Sequence, residues 1–255
     1  MLLTIDIGNS NIVYGLPAGE GRARRLYRLG TVPERPVEEY FTLAASLFAR
    51  EGVELGRVDG AVICSVVPVL VPVLSQVVQR LTGITPYIVT SRSKSGLTLA
   101  IPEGDTLGND ILAADAAAAA EYPLPAIIFD MGTATTVTVL DGEGAFRGGA
   151  IIPGVQLSLS ALASHTSLLP AISLDAPPHA IGTNTVDCMK SGSILGAALL
   201  LDGMIDRMES ELGQQATVVA TGGLARCIVP ICTHEILLNE DLLLYGLAVL
   251  YEKNK

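Results

Sequence analysis

The sequence predicts an internally duplicated α/β fold with two subdomains, each built on a mixed sheet. One apolar run ends at Asp6 and passes into Ile7-Gly8-Asn9-Ser10; another, residues 126–129, ends at Asp130 and passes into Met131-Gly132-Thr133. After each come two more short apolar stretches, so the order strand, acidic glycine turn, strand, turn, strand occurs twice about half a chain apart. Composition agrees: 255 residues, 49% hydrophobic and 16% charged, describe a compact chain with material for ample core.

Residues 2–5 read as the first strand, 11–16 as the second and 25–31 as the third. Pro33 and Pro36 precede an amphipathic helix over 37–51. The run GAVICS at 60–65 is a buried strand, and the helix after Pro68 runs to about residue 81, where Gly83 and Pro86 stop it. Strands at 87–90 and 97–101 flank the polar loop SRSKSG. The alanine-rich run 110–121 is a helix with Asp110 in its first turn and Asn109 or Asp110 as N-cap.

In the second half, strands are expected at 126–129 and 137–140, with a third, short strand after Asp141-Gly142. Pro153-Gly154 opens a helix to about residue 163, and residues 164–183, with three prolines, form a loop. A long helix over 185–208 is interrupted at Ser191-Gly192-Ser193 and is apolar on all sides at 194–201, which suits a core or a subunit interface. The strand 216–220 runs into Thr221-Gly222-Gly223, which opens a short helix, and a helix over 240–253 closes the chain. With no low-complexity linker, the boundary falls near residues 120–125, giving subdomains 1–122 and 123–255.

The net charge of −10 speaks against nucleic acid or an anionic membrane as partner. MLLTIDIGNS is no signal peptide, and the apolar runs at 60–74 and 113–120 are too short or too alanine-dominated to span a bilayer, so a cytoplasmic protein is expected. Cys64, Cys188, Cys227 and Cys232 form no CxxC pair, and His234 does not complete a zinc set with Cys227 and Cys232. His165, His179 and His234 flank no Ser or Cys motif for nucleophilic catalysis.

An acid at a strand end followed by glycine and hydroxyl residues suits phosphate and cation chemistry. The glycine admits close approach, amides and hydroxyls donate, and the acid holds a cation or its water. Standing alone, one such turn reads sooner as an ordinary hairpin; a pair is a stronger signal. Thr221-Gly222-Gly223 adds a small-residue loop on which a nucleoside can lie, so the set describes a nucleotide cleft, its acidic tips facing across it. The chain has neither GxxxxGK[ST] nor GxGxxG after a strand.

These motifs, with CSVVP at 64–68, GND at 108–110, FDMGTATT at 129–136, GGAIIPG at 148–154, HTSLLP at 165–170 and IGTNTVDCMKSG at 181–192, resemble those of type III pantothenate kinases. The resemblance runs essentially end to end. It implies a duplicated actin-like (ribonuclease-H-like) fold, a homodimer, Mg-ATP as phosphoryl donor, and pantothenate as the small hydroxyl-bearing acceptor, made into 4′-phosphopantothenate for coenzyme A synthesis. Asp6, Gly8, Asn9 and Ser10 match the first phosphate motif; Gly132 and Thr133 match the second; Thr221, Gly222 and Gly223 match the adenosine side. Asp130 matches the ligand of a monovalent cation, K⁺ or NH₄⁺, and Asp110 the base that receives the acceptor's proton. Gly108, Asn109, Ile111 and Thr185 match substrate-binding positions, Thr185 closing the acceptor site of the dimer.

The chain departs from the family pattern at several points. Ser10 stands for Thr; Ile12 and Val13 fall where a basic residue is common; Ile101-Pro102-Glu103-Gly104 replaces an aromatic-Asn-Pro sequence. Ile111 replaces the arginine that would pair with the pantothenate carboxylate, which isoleucine cannot do. Two further readings follow: a kinase of the same fold for an alcohol lacking a carboxylate, and a nucleotide-binding paralogue with weak or no catalysis.

Overall fold

The computed structural model of the chain describes residues 1–17, 24–100 and 107–255. The end of the strand expected at 97–101 and the segment Ile101-Pro102-Glu103-Gly104 lie outside the described residues. The chain divides into two compact units: Met1–Gly96, Pro102–Ala120 and Asp241–Lys255 in one, Leu97–Ile101 and Glu121–Glu240 in the other.

The first unit holds β1 (Leu2–Ile7), β2 (Asn11–Pro17), β3 (Arg24–Gly30), α1 (Val37–Arg50), β4 (Gly60–Ser65), α2 (Leu70–Thr82) and β5 (Tyr87–Ile88). Its sheet has the order β3-β2-β1-β4-β5, with β1, β2 and β3 antiparallel and β4 parallel to β1. The core is continuous from Leu3, Ile5 and Ile7 to Tyr40, Phe48, Leu70 and Leu74, and the Tyr14 and Tyr27 rings meet Phe48 edge-on at 5.4 and 5.5 Å. Along β1 the alternating Leu3, Ile5 and Ile7 are fully buried in this core, Thr4 is buried between them, and Asp6 falls at the strand's exit.

The second unit repeats the plan. It contains β6 (Thr98–Leu99), β7 (Ala126–Met131), β8 (Ala134–Leu140), β9 (Ala145–Pro153) and α4 (Val155–His165). These are followed by α5 (Thr185–Lys190), α6 (Gly196–Leu212), β10 (Thr217–Thr221), α7 (Ala225–Ile228) and β11 (Leu237–Leu238). The sheet order is β11-β10-β7-β8-β9-β6. Read from β9 to β11, it reproduces the first sheet strand for strand: an antiparallel triplet with a parallel strand beside its first member. The duplication expected from the two acidic turns is thus realised in strand order.

Within the first unit, α3 (Asn109–Glu121) buries Leu112 and the small side chains from Ala113 to Ala118. Its first helical bond runs from the Leu112 amide to the Gly108 carbonyl, so Gly108 is the capping position and not Asn109 or Asp110. The last helix, α8 (Leu242–Asn254), packs on β1 and β4.

Three elements differ from expectation. The third strand of the second triplet, β9, is nine residues long and not short, because it pairs along the whole of β8 across a bulge at Val139/Leu140. Ser191-Gly192-Ser193 does not break the long helix: Ser191–Leu195 make a wider π turn, and the helical run continues from Thr185 to Leu212. That run is long and apolar enough to cross a membrane by length and composition, yet Met189, Ile194, Ala198, Leu201 and Ile205 form a buried stripe in the second core. Finally β11, only two residues long and half-exposed, pairs with β10 without any alternation to announce it.

Candidate active site

In the first unit, β1 delivers Asp6 to the end of the sheet, in register with Val13 on β2 and Cys64 on β4. The turn after it closes through the Gly8 amide, which donates to the Asn11 carbonyl at 2.9 Å. Thr31, just past β3, donates its backbone amide to the Ser10 carbonyl at 3.1 Å and its Oγ1 hydroxyl to the Gly8 carbonyl at 2.7 Å. Gly8 is half-buried and Asn9 and Ser10 are exposed, so the turn faces outward.

Asp110 stands in the first turn of α3, where its Oδ1 accepts the Ile111 amide at 2.9 Å. The buried Cys64 thiol is pushed well above its usual pKa, first by burial and then by the negative charges of Asp6 and Asp110. That thiol is no nucleophile. Asp6, paired with Cys64 across β1 and β4, and Asp110 belong to the same unit.

In the second unit, β7 carries Asp130 in register with Thr136 on β8 and Thr221 on β10. The Gly132 amide donates to the Ala134 carbonyl and the Gly154 amide to the Thr133 carbonyl, both at 3.0 Å. A Cβ on Gly154 would lie 2.4 Å from the Thr133 carbonyl oxygen, so the end of β9 can close on the turn only as glycine. Gly222, with φ of +90°, brings the Thr221-Gly222-Gly223 loop against Met131 and Asp130, and the Leu224 amide donates to the Met131 carbonyl at 3.2 Å. Asp130, the second glycine turn and the Thr221-Gly222-Gly223 loop therefore form one assembly.

Thr185 opens α5 beside its N-cap, Asn184, whose Oδ1 accepts the Asp187 amide at 3.0 Å. It lines an open concavity of about 770 Å³ with Leu162, Leu169, Thr183, Cys188 and Met189. Among the described residues no three His, Cys, Asp or Glu side chains converge as a metal site. Sequence reasoning missed two residues that shape these turns, Thr31 and, in its closing role, Gly154. Thr31 sits two residues before Pro33 as a lone threonine in a polar stretch, and nothing local marks it.

The two mixed sheets, each with an acidic glycine turn at its carboxyl end, define a duplicated actin-like fold. At the level of fold alone, the structure is similar to the activator of 2-hydroxyisocaproyl-CoA dehydratase from Clostridium difficile, solved with bound ADPNP: TM-score 0.54, 15% identity, covering 99% of this chain and 95% of that one. The type III pantothenate kinase family profile matches residues 2–207. The type III pantothenate kinase of Thermomicrobium roseum is 41% identical over 254 residues, covering 99% of this chain and 97% of its own. That of Exiguobacterium sp. is 38% identical over 255 residues, covering 100% of both. The chain belongs to the type III pantothenate kinase family.

Proposed function

We infer that this protein is an ATP-dependent pantothenate kinase, forming 4′-phosphopantothenate in the first step of coenzyme A synthesis. Beside family membership, what supports the reading is that Asp6, at the end of β1 and paired with Cys64 of β4, and Asp110, in the first turn of α3, belong to one compact unit. One unit thus carries both a carboxylate of the phosphate turn and a carboxylate able to take a proton.

Phosphoryl transfer asks for charge neutralisation, alignment and a proton acceptor. Asp110 accepts the proton of the acceptor hydroxyl as its oxygen bonds to the γ-phosphorus, and the bond from that phosphorus to the β-phosphate bridging oxygen breaks to release ADP. The amide of Ile111, already on Asp110 Oδ1, orients the carboxylate. In the first unit Gly8, Asn9 and Ser10 are the phosphate-binding residues; in the second, Gly132 and Thr133 serve phosphate and Thr221, Gly222 and Gly223 the nucleoside. Asp6 would help hold Mg²⁺ on the nucleotide's phosphates, an ion for which one or two carboxylates suffice and which would neutralise phosphate charge. Asp130, beside the backbone oxygen of Met131, offers the oxygen ligands that a monovalent cation takes.

Two copies are proposed to pair through the second unit. The α6 face opposite its buried stripe exposes Leu199 and Leu200, at 59% and 38%, and Thr185 then closes the acceptor site. The cytoplasm is the compartment where this substrate and ATP meet.

Ile111 favours a second reading, a kinase for an alcohol without a carboxylate. One assay separates the possibilities: ADP release with pantothenate against release with pantothenol, its carboxylate-free analogue. Turnover of pantothenate that Asp110→Asn lowers by about a hundredfold or more supports the first reading. Turnover of pantothenol alone supports the second, and ATP binding without turnover supports the non-catalytic paralogue.

A further inference from the structure

Thr31 makes two hydrogen bonds to the first glycine turn, and both go to carbonyls: its amide to Ser10 and its hydroxyl to Gly8. A trans peptide unit is planar, so a carbonyl and the next amide N–H point in opposite directions. With the Gly8 and Ser10 carbonyls drawn toward Thr31, the amides of Asn9 and Asn11 point away from it. A turn that binds anions must present amides and withdraw carbonyls, because a carbonyl dipole repels a phosphate oxygen.

The second unit offers an internal comparison. There, too, the residue just past the third strand of the triplet takes a turn carbonyl, the Gly154 amide binding that of Thr133. The second turn is tighter: Gly132 bonds two residues ahead to Ala134, whereas Gly8 bonds three ahead to Asn11. The longer first turn has one more carbonyl to withdraw, and the Thr31 hydroxyl takes it. Thr31 is itself anchored through its neighbour. The buried Tyr40 hydroxyl, on α1, accepts the Val32 amide at 2.8 Å and donates to the Val32 carbonyl at 3.0 Å.

We propose that Thr31 is a positioning residue for the phosphates of ATP, holding the Gly8 and Ser10 carbonyls back so that the amides of the turn face the nucleotide. This rests on the reading of residues 8–10 as the phosphate turn. Steady-state kinetics of T31V, T31S, S10A and D6N test both levels.

Valine keeps the shape of threonine and the backbone bond but leaves the Gly8 carbonyl without its donor. T31V is expected to raise KM for ATP about tenfold, while KM for pantothenate stays within about twofold. T31S keeps the hydroxyl and is expected to restore KM for ATP to within about twofold of the parent. A T31V enzyme with unchanged KM for ATP, or a T31S enzyme as impaired as T31V, overturns the proposal. If S10A and D6N also leave KM for ATP unchanged, the phosphate-turn reading fails with it; if they raise it while T31V is silent, this inference alone fails. Should T31V not fold, Y40F serves instead: it frees Val32 and is expected to raise KM for ATP about threefold, and an unchanged value overturns the proposal.

Discussion

Gly222 lies directly against Asp130. A Cβ built on Gly222 would sit 2.7 Å from Asp130 Oδ1 and 2.6 Å from both the amide nitrogen and the carbonyl oxygen of Met131. No side chain fits there, and the φ of +90° is itself one that side chains rarely adopt. Gly222→Ala must therefore part β10 from the second glycine turn. The expected result is a loss of ATP affinity of about tenfold or more, with a fall in melting temperature reflecting about 1–3 kcal/mol. Calorimetric titration with Mg-ATP and a thermal melt check it; unchanged binding would show that this contact does not shape the nucleotide site.

Ile111 gives a gain-of-contact experiment. Restoring arginine beside Asp110 places a guanidinium where a carboxylate of the acceptor can pair with it. Ile111→Arg is expected to lower KM for pantothenate by about tenfold and to leave KM for pantothenol unchanged. Equal effects on both, or none on pantothenate, would mean that position 111 does not face the acceptor's carboxylate.

His234 makes the stability of the second unit depend on pH. Its Nδ1 lies 2.9 Å from Asp202 Oδ1 and its Nε2 3.1 Å from Asp206 Oδ1. Ionised carboxylates only accept hydrogen bonds, so both contacts are satisfied only by the doubly protonated ring. The histidine pKa is raised, chiefly by the bond to Asp202, with burial opposing and Asp206 adding. Burial pushes the Asp202 carboxyl up, but the amides of Thr233 and His234 and the His234 ring outweigh it and hold the group at about 2. A group whose folded pKa is raised contributes stability fully present below its unfolded value, about 6.5 for histidine, and lost as pH rises through the folded one. The melting temperature should therefore fall across that window above pH 6.5, and Asp206→Asn should lessen the fall and lower the His234 pKa read by NMR. A flat profile would rule the clasp out as a source of stability.

Leu199 and Leu200 test the pairing of two copies. Leu199→Glu puts a charge on the exposed face of α6 without touching its buried stripe. On the proposed pairing, the variant is expected to elute as a monomer in size-exclusion chromatography, with its secondary structure intact and its turnover of pantothenate reduced at least tenfold, because Thr185 is proposed to close a neighbouring site. A variant that stays dimeric places the interface elsewhere.

The duplication was legible in the sequence because its signal is local. A run of apolar side chains ending in Asp-x-Gly shows itself within a dozen residues, and it occurs at Asp6 and again at Asp130. The helix of Asp110 and the strand GAVICS were equally plain from composition and period. What closes each turn was not legible, because it arrives from far along the chain. Thr31 reaches back to Gly8 through a single hydroxyl, Gly154 to Thr133 through its backbone amide and Gly222 to Met131 through the absence of a side chain, none of which leaves a periodic trace. Nor does the composition of residues 242–254 tell that α8 returns to pack on β1 and β4 of the first unit, or that β11 adds an edge to the second sheet. Local chemistry marked the residues proposed to meet phosphate and proton; long-range hydrogen bonding and close packing, which depend on the folded chain, decided how their backbone is held.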